Sequence, residues 1–202
     1  IIDRQGVASH WSGQSGFTDG NQFLGTRPEK DIGFPYLSAC WGDKAISKAV
    51  AKEMLHLSWH GYLIDQLRYS DWIDRGRSRP THREWSKYVQ WVAEKVGLDL
   101  CVTEVTRIGT TTDRQHWQLT CQPPAGGTPF TLTGEGLVMT GPGTPLTIPG
   151  QLEEHPRIMD GASFWLRTEE FAQLRWRVKK PLNIGVSGTG ETAAAIVVAL
   201  VD

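Results

Sequence analysis

What this chain has little of narrows it first. Its three cysteines, Cys40, Cys101 and Cys121, form no C-x-x-C pair and leave one unmatched, which argues against a disulfide scaffold and for reduced thiols in a cytoplasmic setting. An excess of either charge is also missing. Lys and Arg number 21 against 22 Asp and Glu, a formal net charge of −1, so no electrostatic footprint for nucleic acid is expected. No apolar run reaches the roughly 18 residues that a membrane span needs, and Ile1-Ile2-Asp3-Arg4 lacks a signal-peptide layout. There is no internal repeat, no low-complexity block and no evident catalytic triad. His56 and His60 have the spacing of a helical zinc pair, but Leu57 stands where a zinc protease has Glu and no third ligand is evident. Ordinary core or surface histidines are the expected reading.

What remains is globular material, 202 residues with 39% hydrophobic content, enough for one domain and part of another. Residues 6–43 are rich in Gly, Ser, Pro and aromatics, which predicts a long ordered loop region of the kind that carries function. A helical pattern runs from Asp43 to about Gly61 and continues from Tyr62 to Asp74 with apolar spacing at Leu63, Leu67 and Ile73. Thr81, with Glu84 three residues on, is a capping box ahead of Trp85, Tyr88, Val89, Val92 and Val96, and Gly97 is placed to end that helix. Strands are predicted over Leu98–Ile108, Trp117–Gln122, Phe130–Thr133 and Gly136–Thr140. The stretch Gly141–Gly150 is too rich in Pro for a regular element and reads as a crossover between domains. Arg175, Arg177, Lys179 and Lys180 alternate with Trp176 and Val178, the pattern of a strand with one solvated basic face; an NADP phosphate contact is the functional alternative.

The most informative motif is Gly188-Thr189-Gly190-Glu191-Thr192-Ala193, which fits G-x-G-x-x-G/A. The first glycine permits a tight turn, the second lets backbone approach a pyrophosphate, and Ala193 allows close helix packing. Pro181–Val186, which contains Gly185 and leads through Ser187, reads as the entering strand, and Thr192–Val201 as the following helix. Helix N-terminal N–H groups then supply donors and partial positive charge. At the other end, Asp3 closes Ile1-Ile2-Asp3, the position at a strand tip where an acid holds a ribose hydroxyl in dinucleotide folds. A solvated terminal acid is the plain alternative.

Several segments carry a resemblance. Leu137-Val138-Met139-Thr140-Gly141-Pro142-Gly143 with Pro149-Gly150 behind resembles the ATG-x-x-P…PG crossover of two-dinucleotide flavoproteins, with Met139 at the usual Ala. Asp3-Arg4-Gln5, His10-Trp11, Gly20-Asn21-Gln22, Lys30-Asp31 and Phe34-Pro35-Tyr36 resemble the flavin-side half of the lysine/ornithine N-hydroxylase family of flavin-dependent monooxygenases. Pro80-Thr81-His82-Arg83-Glu84-Trp85 with Tyr88 and Trp91 is similar to that family's P-S-R-x-E-[FW]-x-x-Y-x-x-W helix. Gln22 and Lys30 stand eight positions apart, farther than in the familiar siderophore hydroxylases, which leaves the amine open and points to a natural-product branch.

The resemblance implies an α/β, two-dinucleotide-binding-domain flavoprotein, with a Rossmann-like FAD domain over 1–145 and the start of an NADPH-binding Rossmann domain over 146–202. Each is expected to be incomplete, the first at its N-terminal side and the second at its C-terminal side. It further implies that NADPH reduces bound FAD, that reduced flavin and O₂ give a C4a-hydroperoxide, and that the amine of an amino acid or related substrate takes the distal oxygen. Siderophore or other secondary metabolism is the implied setting, in the cytoplasm and in a possible homo-oligomer, with no nucleic acid, membrane or metal partner. Asp3 would hold a ribose hydroxyl of FAD, Trp11 would pack against the isoalloxazine and Gln22 would bond the ring's polar edge. Thr140, Gly141 and Pro142 would form the crossover. Gly185, Ser187, Gly188, Thr189, Gly190, Glu191, Thr192 and Ala193 would hold NADPH, and Lys30 a substrate carboxylate or the nicotinamide nucleotide. For Lys30 the bland alternative is a surface ion pair with Asp31, of small energetic weight. Oxidation of sulfur or a ketone through the same flavin chemistry is a related reading, and a non-catalytic nucleotide-binding or interaction module a more distant one.

Overall fold

The computed structural model describes residues 1–14, 18–33, 42–140, 155–178 and 180–201. In chain order its elements are strand β1 (Ile2–Asp3), a 3₁₀ turn at Ser9–Trp11, helices α1 (Lys44–Leu55), α2 (Trp59–Asp65), α3 (Tyr69–Asp74) and α4 (His82–Lys95), strands β2 (Cys101–Val102), β3 (Glu104–Thr110), β4 (Trp117–Gln122) and β5 (Phe130–Gly134), and helices α5 (Gly161–Leu166), α6 (Thr168–Arg177) and α7 (Glu191–Val201). These form two compact units, one of Ile1–Val7 with Gly97–Asp160 and one of Ala8–Val96 with Gly161–Asp202. Among the described residues no helix is long and apolar enough to cross a membrane.

Among the described residues, the regular elements of the first unit are all strands. β1 and β2 pair in parallel, Ile2 opposite Cys101 and Asp3 opposite Val102. The region read as one strand from Leu98 to Ile108 divides at Thr103, whose N–H still bonds Asp3 O at 3.0 Å while the chain turns away into β3. β3, β4 and β5 form an antiparallel sheet in that order, with a register irregularity between Val105 and Arg107. Cys121 is fully buried and it and Cys101 are free thiols. The predicted strand Gly136–Thr140 is not a strand: Val138 and Met139 are exposed and, among the described residues, no ladder partner takes up the segment. β-Branched composition is a weak guide where no neighbour supplies hydrogen bonds.

The second unit is built on an aromatic core. Trp59, Tyr62, Leu63, Trp72, Tyr88, Trp91 and Val92 pack into one buried cluster, with Tyr88 T-shaped on Trp59 at 5.6 Å between ring centroids. The helical pattern of 43–74 breaks into three helices, for local reasons. Asp43 caps α1 by accepting from Ala45 and Ile46 N–H. Ser58 accepts from Gly61 N–H and starts α2 afresh. Leu67 then sits at φ 55°, the left-handed geometry that ends a helix. α4 has the full capping box at Thr81 and Glu84, and Gly97 beyond it takes φ 61°.

Two further expectations are overturned here. The basic stretch that begins at Arg175 does not open as a strand, because Arg175–Arg177 close α6, which carries Glu169 and Glu170 in its first turn and Arg175 and Arg177 in its last. That charge order complements the helix dipole, and Arg167 Nη2 reaches Glu170 Oε2 at 2.7 Å. Lys179 lies outside the described residues. Pro181–Val186 likewise forms no strand; a strand exists only through its neighbours, and among the described residues none pairs with it. The helix read at Thr192–Val201 is present as α7.

Candidate functional site

The N-terminal end of α4 organises the loop that carries the sequence-marked residues. A helix start leaves backbone N–H groups without intrahelical acceptors, and here the loop supplies them. His82 N–H bonds Gln22 O at 2.8 Å and Arg83 N–H bonds Gly20 O at 2.9 Å, while Glu84 N–H bonds Thr81 Oγ1 at 3.2 Å. Leu24 N–H returns to Pro80 O at 2.9 Å, and Phe23 bridges Thr81 in antiparallel fashion. Gln22 is thereby pinned to the first turn of α4.

Side chains tighten the same corner. The Thr18 hydroxyl donates to Gln22 Oε1, accepts from Gly20 N–H at 2.9 Å, and lies 2.9 Å from His82 Nδ1. Trp11 meets the His82 ring edge to face, 4.7 Å between centroids. Burial pushes the His82 imidazole below its ordinary pKa; the carboxylates of Glu191 and Asp19 pull the other way and His10 adds to the fall. Sequence reasoning gave His82 and Thr18 no role, since a histidine at a helix start reads as solvated. Only the 64-position closure between them reveals the contact.

Lys30 and Asp31 part company. Lys30 is exposed, whereas Asp31 is 5% exposed and its Oδ2 accepts from Trp59 N–H, the first donor of α2, at 2.5 Å. The surface ion pair between them is therefore not formed. Burial raises the Asp31 pKa, against the pull of the Trp59 hydrogen bond and of His60. Gly33 lets this loop lie flat against the end of α1: a Cβ there would stand 2.3 Å from Met54 O and 2.6 Å from Ser58 N.

The glycine turn before α7 has room on its open side. Gly188 takes φ 141°, and a Cβ on it would lie 3.3 Å from Ala193 Cβ, the close approach that an alanine at that place permits. A Cβ on Gly185 or Gly190 would meet nothing within 4 Å. Ser187, Thr189 and Thr192 are exposed. Glu191, the first residue of α7, lies against the loop beyond Gln22, its Oε1 2.3 Å from where a Gly25 Cβ would stand. Thus the start of α7 and the Thr18–Lys30 loop are neighbours within one unit.

The remaining sequence-marked residues are more dispersed. Asp3 closes β1, and its Oδ1 accepts from Gln5 and Gly6 N–H at 2.8 Å each, a turn that fixes the carboxylate at the strand tip. Thr140 is exposed and irregular. Gly141, Pro142, the rest of the Gly141–Gly150 crossover, Phe34-Pro35-Tyr36 and Cys40 lie outside the described residues. Among the described residues no group of His, Cys, Asp and Glu could hold a metal; His60 packs against Tyr69 and Trp72 as a core aromatic. A cleft of about 290 Å³ lies beside Phe23, Trp59, Trp72, Arg79 and Glu84. None of the residues expected to hold a cofactor or the substrate lines it.

Comparison with known proteins gives a consistent result. A family model described as L-lysine 6-monooxygenase/L-ornithine 5-monooxygenase matches residues 53–202. The chain is 38% identical over 197 residues to the L-lysine N6-monooxygenase MbtG of Mycolicibacterium paratuberculosis, covering 96% of this chain and 42% of that protein. Among solved structures, lysine monooxygenase NbtG from Nocardia farcinica, described for its NADPH domain conformation, matches with a TM-score of 0.79 and 34% identity over 99% of this chain and 47% of its own. The reduced form of the ornithine hydroxylase PvdA from Pseudomonas aeruginosa matches with a TM-score of 0.57 and 25% identity, over 72% of this chain and 34% of its own. The chain therefore spans less than half the length of these relatives.

Proposed function

Because the chain belongs to the L-lysine 6-monooxygenase/L-ornithine 5-monooxygenase family, we propose that it is part of an FAD- and NADPH-dependent enzyme that hydroxylates the side-chain amine of an amino acid, lysine first among them. The observation that carries this reading is the reach of the family match, which includes both the α4 capping helix and the Gly188–Ala193 turn. The lysine preference follows from the relatives at 38% and 34% identity, both named for lysine.

The turn before α7 suits a nucleotide. The open space at Gly185 and Gly190 suits close approach of a pyrophosphate, with N–H groups at the start of α7 as donors. We assign this turn, Gly185 and Ser187 through Ala193, to NADPH within residues 146–202, and residues 1–145 to FAD; that boundary lies outside the described residues. Asp3, with one carboxylate oxygen spent on its own turn, keeps the other for a ribose hydroxyl. Thr140, Gly141 and Pro142 are the crossover between the two.

Bound flavin, once reduced by NADPH, supplies the activation of O₂ for transfer of one oxygen atom to nitrogen. The chain's own residues bind and orient. Gln22, held on α4 by the Gln22 O to His82 N–H bond, offers a side-chain amide to the polar edge of the ring. Trp11 offers an apolar face that excludes water there. Lys30, exposed and not paired with the inward Asp31, offers an ammonium to the carboxylate of the amino acid. The substrate amine, with an ordinary pKa near about 10, has to shed its proton before its lone pair can react.

The full-length enzyme that contains this chain is supplied with FAD, NADPH and O₂, and the products from lysine and from ornithine are read by mass spectrometry. N-Hydroxylysine is the expected product. NADPH oxidation that yields only H₂O₂ with every amine, alongside oxygenation of a sulfide or ketone, refutes N-hydroxylation in favour of the related chemistry; a protein that holds neither nucleotide supports the non-catalytic reading.

A further inference from the structure

We propose that His82 and Thr18 form a hydrogen-bonded relay that fixes the Gln22 amide with its oxygen inward, so that the Gln22 NH₂ group, not its carbonyl, is what a ligand meets. The inference rests on the assignment of Gln22 to the flavin for its consequence, though not for its geometry.

The geometry is a donor count. A threonine hydroxyl has one proton and two acceptor lone pairs. Thr18 is 3% exposed, so water has little access and its three neighbours have to satisfy it. Gly20 N–H at 2.9 Å can only donate and takes one lone pair. Gln22 Oε1 can only accept and takes the proton. The third neighbour, His82 Nδ1 at 2.9 Å, then faces the second lone pair and has to carry a hydrogen. A neutral imidazole has one N–H, so His82 is held as the Nδ1–H tautomer with Nε2 as its lone-pair nitrogen. The reverse arrangement, in which the hydroxyl donates to a bare Nδ1, would set two oxygen lone pairs against each other unless the Gln22 amide turned over. The histidine tautomer and the polarity of the glutamine are therefore one choice.

The consequence is directional. With Oε1 committed to Thr18, the two hydrogens on Nε2 are left to select an acceptor, such as a ring carbonyl oxygen of the isoalloxazine. His82 and Thr18 act through Gln22 and are positioning residues.

The relay is readable in the full-length enzyme that contains this chain, with no cofactor bound. Imidazole ¹⁵N shifts at about pH 8, above the ordinary histidine range, are expected to show a protonated Nδ1 and a bare Nε2 for His82; the opposite pattern overturns the relay. Thr18→Val is expected to move the Gln22 side-chain amide resonances, and Thr18→Ser to leave them in place. His82→Asn, whose amide N–H can stand near the Nδ1–H, is expected to preserve them where His82→Phe does not. Unmoved Gln22 resonances in Thr18→Val also overturn the relay. With FAD added, Thr18→Val is expected to bind about tenfold more weakly and Thr18→Ser within about twofold of the parent, the scale of one lost neutral hydrogen bond. If the resonances behave as expected while Gln22→Ala binds FAD unchanged, the assignment of Gln22 to the flavin fails and the relay stands.

Discussion

Tyr88→Phe isolates one hydroxyl at the centre of the aromatic core. Tyr88 has no exposed surface; its hydroxyl donates to Leu57 O at 2.7 Å and accepts from Ile32 N–H at 3.1 Å. Burial, with the Asp31 carboxylate adding to it, pushes its pKa well above the ordinary phenol value, so near neutral pH the hydroxyl is protonated and can donate. Phenylalanine keeps the ring and its contacts with Trp59, Tyr62, Trp85 and Trp91. Ile32 is 39% exposed, so water can replace the lost acceptor there. Leu57 O sits just before the Ser58 cap and loses its partner with less help. One net hydrogen bond of about 1 kcal/mol, plus part of the desolvation of that carbonyl, gives about 1–2 kcal/mol. For a chain of this length that is a fall in Tm of about 2–8 °C. Urea unfolding followed by tryptophan fluorescence reads it directly, because Trp59, Trp72 and Trp91 share the cluster. Tyr88→Ala, which also empties the ring's volume, is expected to lose about 3–5 kcal/mol. A Phe variant within about 0.3 kcal/mol of the parent, well below one ordinary hydrogen bond, refutes the account of how the Ile32 loop is tied to the core.

Other outcomes follow from the same geometry. Asp31→Asn keeps an acceptor for Trp59 N–H and removes a buried charge. Since the Asp31 pKa is raised by burial, its stabilising contribution is fullest below the unfolded value and is lost as pH rises through the folded one. Thermal melts are therefore expected to favour Asp31→Asn over the parent more at pH 7 than at about pH 4, the ordinary carboxylate value, and a difference that does not change with pH contradicts the burial of that charge. Gly190→Ala enters open space and is expected to leave Tm unchanged while NADPH affinity falls at least about tenfold; an unchanged Kd by calorimetry removes Gly190 from the nucleotide site. Thr81→Ala loses the hydroxyl arm of the capping box, the acceptor for Glu84 N–H, while its own backbone N–H can still donate to Glu84 Oε2; it is expected to destabilise by about 1 kcal/mol in chemical denaturation, with no effect contradicting the capped start of α4.

What was legible in the sequence is what is decided within a few residues. Thr81 and Glu84 cap their own helix, Gly97 ends it, and Gly188 to Ala193 turn into α7, all by local chemistry. The breaks at Ser58 and Leu67 are local too, but a continuous apolar pattern hid them. The misread strands share another cause. Gly136–Thr140 and Pro181–Val186 have strand-like composition, yet a ladder depends on a partner that the segment itself does not specify. At Arg175–Arg177 the alternation of basic and apolar residues outweighed, on paper, the Glu-to-Arg polarity that favours a helix. In the candidate site, Gln22 was marked through family resemblance alone. Its support from His82 crosses the chain between two segments that are individually unremarkable, and no periodicity records such a pairing.

The parallel pairing of β1 with β2 also governs the order of folding. Ile1 N and Asp99 O, 98 positions apart, are bonded at 2.7 Å. In an unstructured chain, closing a loop of that length loses about 4 kcal/mol of entropy, far more than a two-residue ladder returns. The pairing becomes favourable only after the stretch Ala8–Val96 has condensed around its aromatic cluster and drawn the two ends together. Ile1 to Val7 thus join their sheet late, so hydrogen-exchange protection of Cys101 and Thr103 N–H is expected to be among the last to appear on refolding.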